Sequence, residues 1–338
     1  MKIAHYIKTR YPLHGYGGTE RIALWVAKAQ ILMGHEVVFL CNPGSSIPFC
    51  EVIDVPTDVT NLDQYLPQDV DIVQLYNPPV FQISKPFLIN IGGNDSPGGT
   101  HHPNTVFVSE NHAKRHNWTE FVHNGIDLDE YPFEDKKEDY ALFIGKAGWI
   151  VKNLPGTALI AREAGMPLYV GGGKAPFWFK NTVSYGEVDG QKKLDLLKNA
   201  ACMLFPIIWD EPFGIVAIEA LATGTAVIAT RRGSLPEIIT PECGILANSH
   251  RELVQGVKKS KTFSPHLCRE RVLNHFTHMH MAKKYLHYYN LILENGKIRE
   301  GHPHALGNPR KIIHYKQGLL NFSKNMLTAA YIKSKRYF

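Results

Sequence analysis

Two carboxylates mark one segment: Glu211 directly precedes, and Glu219 stands within, the otherwise apolar stretch Pro212-Phe213-Gly214-Ile215-Val216-Ala217-Ile218-Glu219-Ala220-Leu221-Ala222. Pro212-Phe213-Gly214 reads as the opening of a helix that is apolar on nearly every face, and such a helix belongs in a core. Glu219 is the lone carboxylate within it. A buried carboxylate must find hydrogen-bond donors or neutralise. No Lys or Arg lies within one turn of Glu219. Its donors are therefore either hydroxyls of a bound sugar or ribose, or a distant basic residue. The free N–H groups around Gly214, at the positive end of the helix dipole, suit a phosphate. Glu211 sits just before that helix start. Two carboxylates for hydroxyls beside an anion hole are a nucleotide-sugar site in outline.

Such a site needs a scaffold, and the chain alternates strand with helix in two halves. The first half reads as a strand over 2–8, the turn Gly15-Tyr16-Gly17-Gly18, a helix over 19–33, and strands over 36–41, 72–76, 87–91 and 105–108. The charged stretch 127–139 reads as a linker. The second half restarts with a strand over 140–144 ending at Gly145, then a helix over 154–164 and a strand over 168–170 that runs into Gly171-Gly172-Gly173. A helix over 191–200, a strand over 202–205, a helix over 213–223 and a strand over 226–230 follow. Ser234-Leu235-Pro236-Glu237 reads as a capping box. The alternation predicts an α/β protein with two parallel sheets facing a central cleft, where ligands sit at the C-terminal strand ends. The expected domains are 1–133 on the acceptor side, 134–294 for the nucleotide sugar, and a basic tail over 295–338, read as helical.

The motif residues, taken together, resemble the GT-B glycosyltransferases of the large retaining class called family 4. Its signature is a Glu, seven residues and a second Glu, as in Glu211 and Glu219, followed by a Gly and Pro-Glu-Ile-Ile, as in Gly233 and Pro236-Glu237-Ile238-Ile239. Gly17-Gly18-Thr19-Glu20-Arg21, Gly34-His35-Glu36-Val37, Asn124-Gly125-Ile126-Asp127, Phe143-Ile144-Gly145-Lys146, Lys152 and Gly186-Glu187-Val188 match in family order. The resemblance covers about residues 1–294. It implies that the backbone at Gly17 and Gly18 meets the donor diphosphate, and that Lys146 and Lys152 neutralise it. Lys146 stands where the family usually has Arg, which keeps the charge and loses the bidentate fork. Glu219 would hold the ribose, and Glu211 the transferred sugar beside the backbone of Phe213, Gly214 and Ile215. Val188 stands where the backbone meets the base. Many members place a His near the reacting carbon after an N-domain strand. Here Leu88-Ile89-Asn90-Ile91-Gly92-Gly93-Asn94-Asp95 holds none, so Asn94 or Asp95 takes part of that role or the loop differs.

The implied function is transfer of a sugar from a UDP- or GDP-type donor to a saccharide or lipid-linked acceptor, with retention, in surface polysaccharide or glycolipid synthesis. Two alternatives keep the same fold: a sugar-nucleotide-binding or scaffold protein with weak catalysis, and a nucleotide-sugar epimerase. No cofactor and no metal is expected. Asp69-Val70-Asp71 and Asp127-Leu128-Asp129 read as structural triplets, and His275, His278, His280 and His287 as surface or stacking residues. Gly15-Tyr16-Gly17-Gly18 is no dinucleotide fingerprint, and no acidic residue for a ribose follows at Cys41-Asn42, which argues against an NAD enzyme.

Composition bounds the rest. With 44% hydrophobic and 20% charged residues in 338, the chain is globular rather than disordered. Its five cysteines are scattered, suiting a reducing compartment, and its first residues lack a signal-peptide core. The net charge is +6. Residues 301–338 hold seven basic side chains and no acidic one, so residues 1–300 sum to −1. Apolar residues among those lysines favour an anionic membrane surface over nucleic acid as partner. A helix packed on the body is the plainer reading. The expectation is a cytoplasmic protein, peripheral at the inner membrane face.

Overall fold

Runs such as Val37-Val38-Phe39-Leu40 and Ile72-Val73 are buried throughout, as strands covered by helices on both faces must be. The computed structural model describes residues 1–306, apart from 14, 16, 96, 97, 177 and 178. The first sheet contains β1 (Lys2–Tyr6), β2 (Glu36–Cys41), β3 (Glu51–Asp54), β4 (Ile72–Leu75), β5 (Phe87–Ile91) and β6 (Thr105–Phe107). The second contains β7 (Ala141–Ile144), β8 (Leu168–Gly171), β9 (Thr182–Ser184), β10 (Cys202–Phe205), β11 (Ala226–Thr230) and β12 (Gly244–Ala247). Their orders are β3-β2-β1-β4-β5-β6 and β12-β11-β10-β7-β8-β9. The second repeats the connectivity of the first, and the pairings within both are parallel. Strand order reverses between β1 and β4, and again between β7 and β10. Crevices form at such switch points, beyond the C-terminal strand ends. The turn at Gly17-Gly18 follows β1, Lys146 follows β7, and Glu211 follows β10. The topology therefore brings the expected site residues to the two crevices.

The helices are α1 (Gly18–Leu32), α2 (Glu110–Lys114), α3 (Leu154–Ala164), α4 (Gly190–Asn199), α5 (Ile215–Ala222), α6 (Leu235–Ile238), α7 (His250–Lys258), α8 (Pro265–His275) and α9 (His278–Asn295). α9, expected with the second domain, crosses back onto the first. There the Tyr289 hydroxyl accepts from Gln30 and donates to Gln74, and Tyr288 donates to Glu120. The following segment stays on the first domain: Thr100 bridges His304, and Leu306 N–H donates to Arg115 O. The rest of the expected basic tail, 307–338, lies outside the described residues. Among the described residues no helix is long and apolar enough to cross a membrane.

The expected capping box at Ser234 does not form. The Ser234 hydroxyl donates to Phe213 O, and Glu237 reaches the other domain instead. Of the four helix histidines, His275, His280 and His287 are exposed, but His278 is buried beside Asp127, where its N–H pairs with Ile126 O. Aspartates of both Asp-x-Asp triplets have protein partners. Asp69 pairs with Lys2, Asp71 accepts from Lys2 N–H, and Asp127 pairs with Lys28 while capping a turn at Asp129.

A buried polar network joins sheet and helices. His5, on β1, bonds Tyr76 at 2.8 Å and Gln30 at 2.7 Å and stacks on Phe39. Burial pushes its imidazole down to about 4, against the raising bond to Gln30. The unfolded chain therefore binds more protons than the folded one below about pH 6.5. Stability is full above that value and is expected to fall by about 3 kcal/mol as pH drops towards 4. Urea midpoints at pH 7 and 4.5 should converge in His5→Gln relative to the parent. An unchanged pH dependence in the variant would contradict this.

Candidate active site

Glycine geometry sets the rim of the cleft. Gly17 precedes α1 and Gly18 begins it. A Cβ on Gly18 would lie 3.4 Å from Ile215 Cδ1, so the N-terminus of α1 faces the N-terminus of α5. Gly214 adopts a left-handed conformation, φ +90°, and α5 starts at Ile215, two residues later than expected. Phe213 is buried, with its ring 5.8 Å from His123 and 5.9 Å from Phe276. Val188 is buried against Gly171, where a Cβ would meet Val188 Cγ2 at 2.6 Å.

Glu211 is 7% exposed. Its Oε2 accepts from Lys152 Nζ at 2.8 Å and from Trp209 Nε1 at 2.7 Å. Lys152 also lies 5.1 Å from the Phe205 ring and 5.0 Å from the Trp209 ring, an arrangement that suits a desolvated cation. The lysine expected on the diphosphate and the carboxylate expected on the sugar are thus partners, and a diphosphate would compete for that lysine. Lys146 is exposed, its Nζ 5.0 Å from the Trp149 ring. Gly233, φ +57°, underlies Glu211: a Cβ there would lie 2.2 Å from Glu211 O and 2.3 Å from its N. Gly233→Ala is expected to displace the Glu211 backbone, costing about 2 kcal/mol of stability, with kcat falling as well. A parent-like Tm and kcat would contradict that close contact.

Glu219 is 2% exposed. Of the two kinds of donor the sequence allows, the distant basic residue is present. Lys193, from α4, reaches Oε1 at 2.6 Å, and the Tyr131 hydroxyl donates to the same atom at 2.8 Å. Burial and then the Glu219 charge push the Tyr131 hydroxyl well above its usual range, so it stays a donor. Lys193 and Tyr131 escape a sequence reading because they lie 26 and 88 positions from Glu219. Trp209, two residues before Glu211, carries a nearer signal: an indole N–H donates only.

The loop after β5 spans the gap. Asn94 donates to Asp210 O at 2.9 Å and accepts from Arg115 at 2.7 Å. Burial lowers the Arg115 pKa against the opposing pull of Asp210 and Glu211. Asp95 turns away, its Oδ2 2.5 Å from His101 Nε2 and 3.4 Å from His116 Nε2. Imidazoles therefore do stand by Asp95, His101 from the far end of the same loop and His116 from beyond α2; His102 stacks near Phe87 instead. Two further straps join the domains. Ser109 donates to Pro212 O at 2.6 Å, and Glu237 accepts from the N–H groups of Glu110 and Asn111 and pairs with His123. Burial would raise the Glu237 carboxyl, but the His123 bond and the two N–H groups hold it below its usual range.

Residues 180–262, which include both glutamates, match the family model described as glycosyl transferases group 1. An uncharacterised glycosyltransferase of Methanocaldococcus jannaschii is 45% identical over 60 residues, 18% of this chain and 15% of that protein's length. The crystal structure of AviGT4, a glycosyltransferase involved in avilamycin A biosynthesis, has a TM-score of 0.72 at 22% identity, covering 87% of this chain and 98% of that one. Anabaena HepE, in complex with UDP and glucose, has a TM-score of 0.59 at 14% identity, covering 86% and 100%. The chain has the two-domain GT-B fold seen in these structures, and its segment 180–262 matches the glycosyl transferases group 1 model.

Proposed function

We propose that the protein is a retaining glycosyltransferase that moves a hexosyl group from a UDP- or GDP-type donor to a saccharide or lipid-linked acceptor. The observation that carries this is the meeting of two helix N-termini, at Gly18 and Ile215, beside two buried glutamates each held by a lysine. The group 1 match across that segment and the UDP and glucose bound by HepE support it.

In this reading the diphosphate lies between the Gly17-Gly18 turn and the N–H groups at Phe213, Gly214 and Ile215, with Lys146 and Lys152 as cations. Fixed donors aimed at a leaving group stabilise its developing charge, so no metal is assigned to the diphosphate. Lys193 and Tyr131 orient Glu219 towards the ribose hydroxyls. Val188 contributes backbone beside the base. Glu211 contacts the sugar hydroxyls and opposes the positive character that the ring gains as its bond to phosphate breaks. Asn94 is assigned to the acceptor side of the reacting carbon; Asp95, expected to share that role, has its carboxylate turned to His101 and His116 instead. Closure of the two domains completes the site and excludes water. The product belongs to surface polysaccharide or glycolipid synthesis at a cytoplasmic membrane face, an assignment that rests on the basic, apolar-studded sequence of 301–338.

The test is incubation with UDP- and GDP-hexoses, with and without saccharide acceptors, in buffer free of added magnesium and manganese. Sugar transfer, or slow donor hydrolysis without acceptor, is expected. Donor binding without turnover would favour the scaffold alternative, and conversion of the donor to its epimer the epimerase. Activity only with added manganese would overturn the assignment of diphosphate neutralisation to protein charges.

A further inference from the structure

Asp95, His101 and His116 have no part in holding the donor, yet their side chains converge. One ligand atom from each, Oδ2 and two Nε2, lies within 4.8 Å of the other two. Asp95 and His101 come from the loop after β5, and His116 from just past α2, so the first domain supplies all three. His116 is 2% exposed, and its ring stacks on Phe107 at 4.2 Å. Its Nδ1 lies 2.9 Å from His112 O. A carbonyl only accepts, so Nδ1 carries the hydrogen, and a neutral ring then presents a lone pair at Nε2. That lone pair faces a carboxylate oxygen at 3.4 Å. Two acceptors aimed at each other beside a buried ring repel unless a proton or a metal ion lies between them. The Nε2 atoms of His101 and His116 are both buried and lack a hydrogen bond of good geometry.

We propose that Asp95, His101 and His116 form a binding site for one divalent transition-metal ion of the zinc type. Two imidazoles and a carboxylate suit zinc better than magnesium or calcium, which prefer all-oxygen shells. In a tetrahedral site with bonds of about 2.0–2.1 Å the ligand atoms sit about 3.3 Å apart. The Oδ2–Nε2 separations of 2.5 and 3.4 Å lie on either side of that spacing. The His116 Nδ1–H bond to a backbone carbonyl is the outer-shell contact that orients metal-binding histidines. Asp95 is 31% exposed at its side chain, which leaves a fourth position for water. The ion would tie the loop after β5 to the end of α2. That loop carries Asn94, whose amide reaches Asp210 in the other domain. The segment Pro303–Ala305 already braces both partners, through His101 N–H to Pro303 O and His304 N–H to His116 O. The site is distinct from the diphosphate position and does not depend on the donor reading.

The experiment is titration of the full chain, stripped with chelator, by Co2+ and then Zn2+, read by visible absorption and calorimetry. A single Co2+ per chain with the intense visible bands of a four-coordinate site, displaced by Zn2+, is expected. Asp95→Asn and His101→Gln should each weaken binding by about 100-fold or more, while His250→Gln, at an exposed pair with Glu163, should not. Far-UV circular dichroism identifies which variants are folded, and either folded variant decides. Absence of the bands in the wild type, or bands surviving in a folded Asp95→Asn or His101→Gln, would overturn the proposal.

Discussion

Replacing Glu211 by Gln is expected to lower kcat by about 100-fold or more while leaving nucleoside diphosphate binding intact or tighter. The first half follows from placing the carboxylate against the sugar, whose charge changes only as the transition state forms. Interactions made there fall on kcat, and loss of one preorganised electrostatic contact costs about 10²–10³. The second half follows from geometry. Glu211 holds Lys152 at 2.8 Å, and the neutral amide would release that lysine to the diphosphate. Steady-state kinetics and nucleotide titration separate the two effects. A rise in KM with unchanged kcat would contradict the role of Glu211.

Replacing Glu219 is expected to act in the opposite way and to cost stability as well. Glu219→Gln keeps an acceptor for Tyr131 but leaves Lys193, 18% exposed at its side chain, beside a neutral group. Breaking such a pair by removing one partner costs about 3 kcal/mol, which should lower Tm by several degrees. Nucleotide affinity should fall by about 10- to 100-fold, the worth of one or two hydrogen bonds to a charged group. Once saturated with donor, the variant should retain most of its kcat. A triple variant, Glu219→Leu with Lys193→Met and Tyr131→Phe, which removes both donors together with their acceptor, should recover the stability and not the affinity. Recovery of both would mean that Glu219 serves packing alone.

What was legible in the sequence is what local pattern encodes. Buried strands such as 36–41 and 202–205 carry continuous apolar runs, and the Gly-rich turn after β1 and the apolar helix after Glu211 announce themselves by composition. Of the four edge strands only β6 was legible. β3 is Glu-Val-Ile-Asp with exposed ends, and β9 is three residues with two exposed. Strands so short and half-solvated lack a period to read. The carriage of α9 back to the first domain depends on Tyr289 and Gln74, 215 positions apart. The same distance in sequence hides the Lys193–Glu219 and Lys152–Glu211 pairs. Ser234 fits the capping-box pattern, yet its hydroxyl goes to Phe213 O, because tertiary partners outcompeted the local one. The segment 88–95 holds no histidine, whereas the fold brings His101, six residues on in the same loop, and His116, from past α2, to Asp95.

The central claim is that the cleft between the two sheets binds a nucleoside diphosphate through Glu219 and not through Glu211. Calorimetric titration of UDP and GDP into the wild type, Glu211→Gln and Glu219→Gln tests it most directly. Saturable one-to-one binding of one nucleotide is predicted in the wild type and Glu211→Gln, with at least about tenfold weaker binding in folded Glu219→Gln. If neither nucleotide binds the wild type, or if Glu219→Gln binds as the wild type does while Glu211→Gln does not, the account is contradicted.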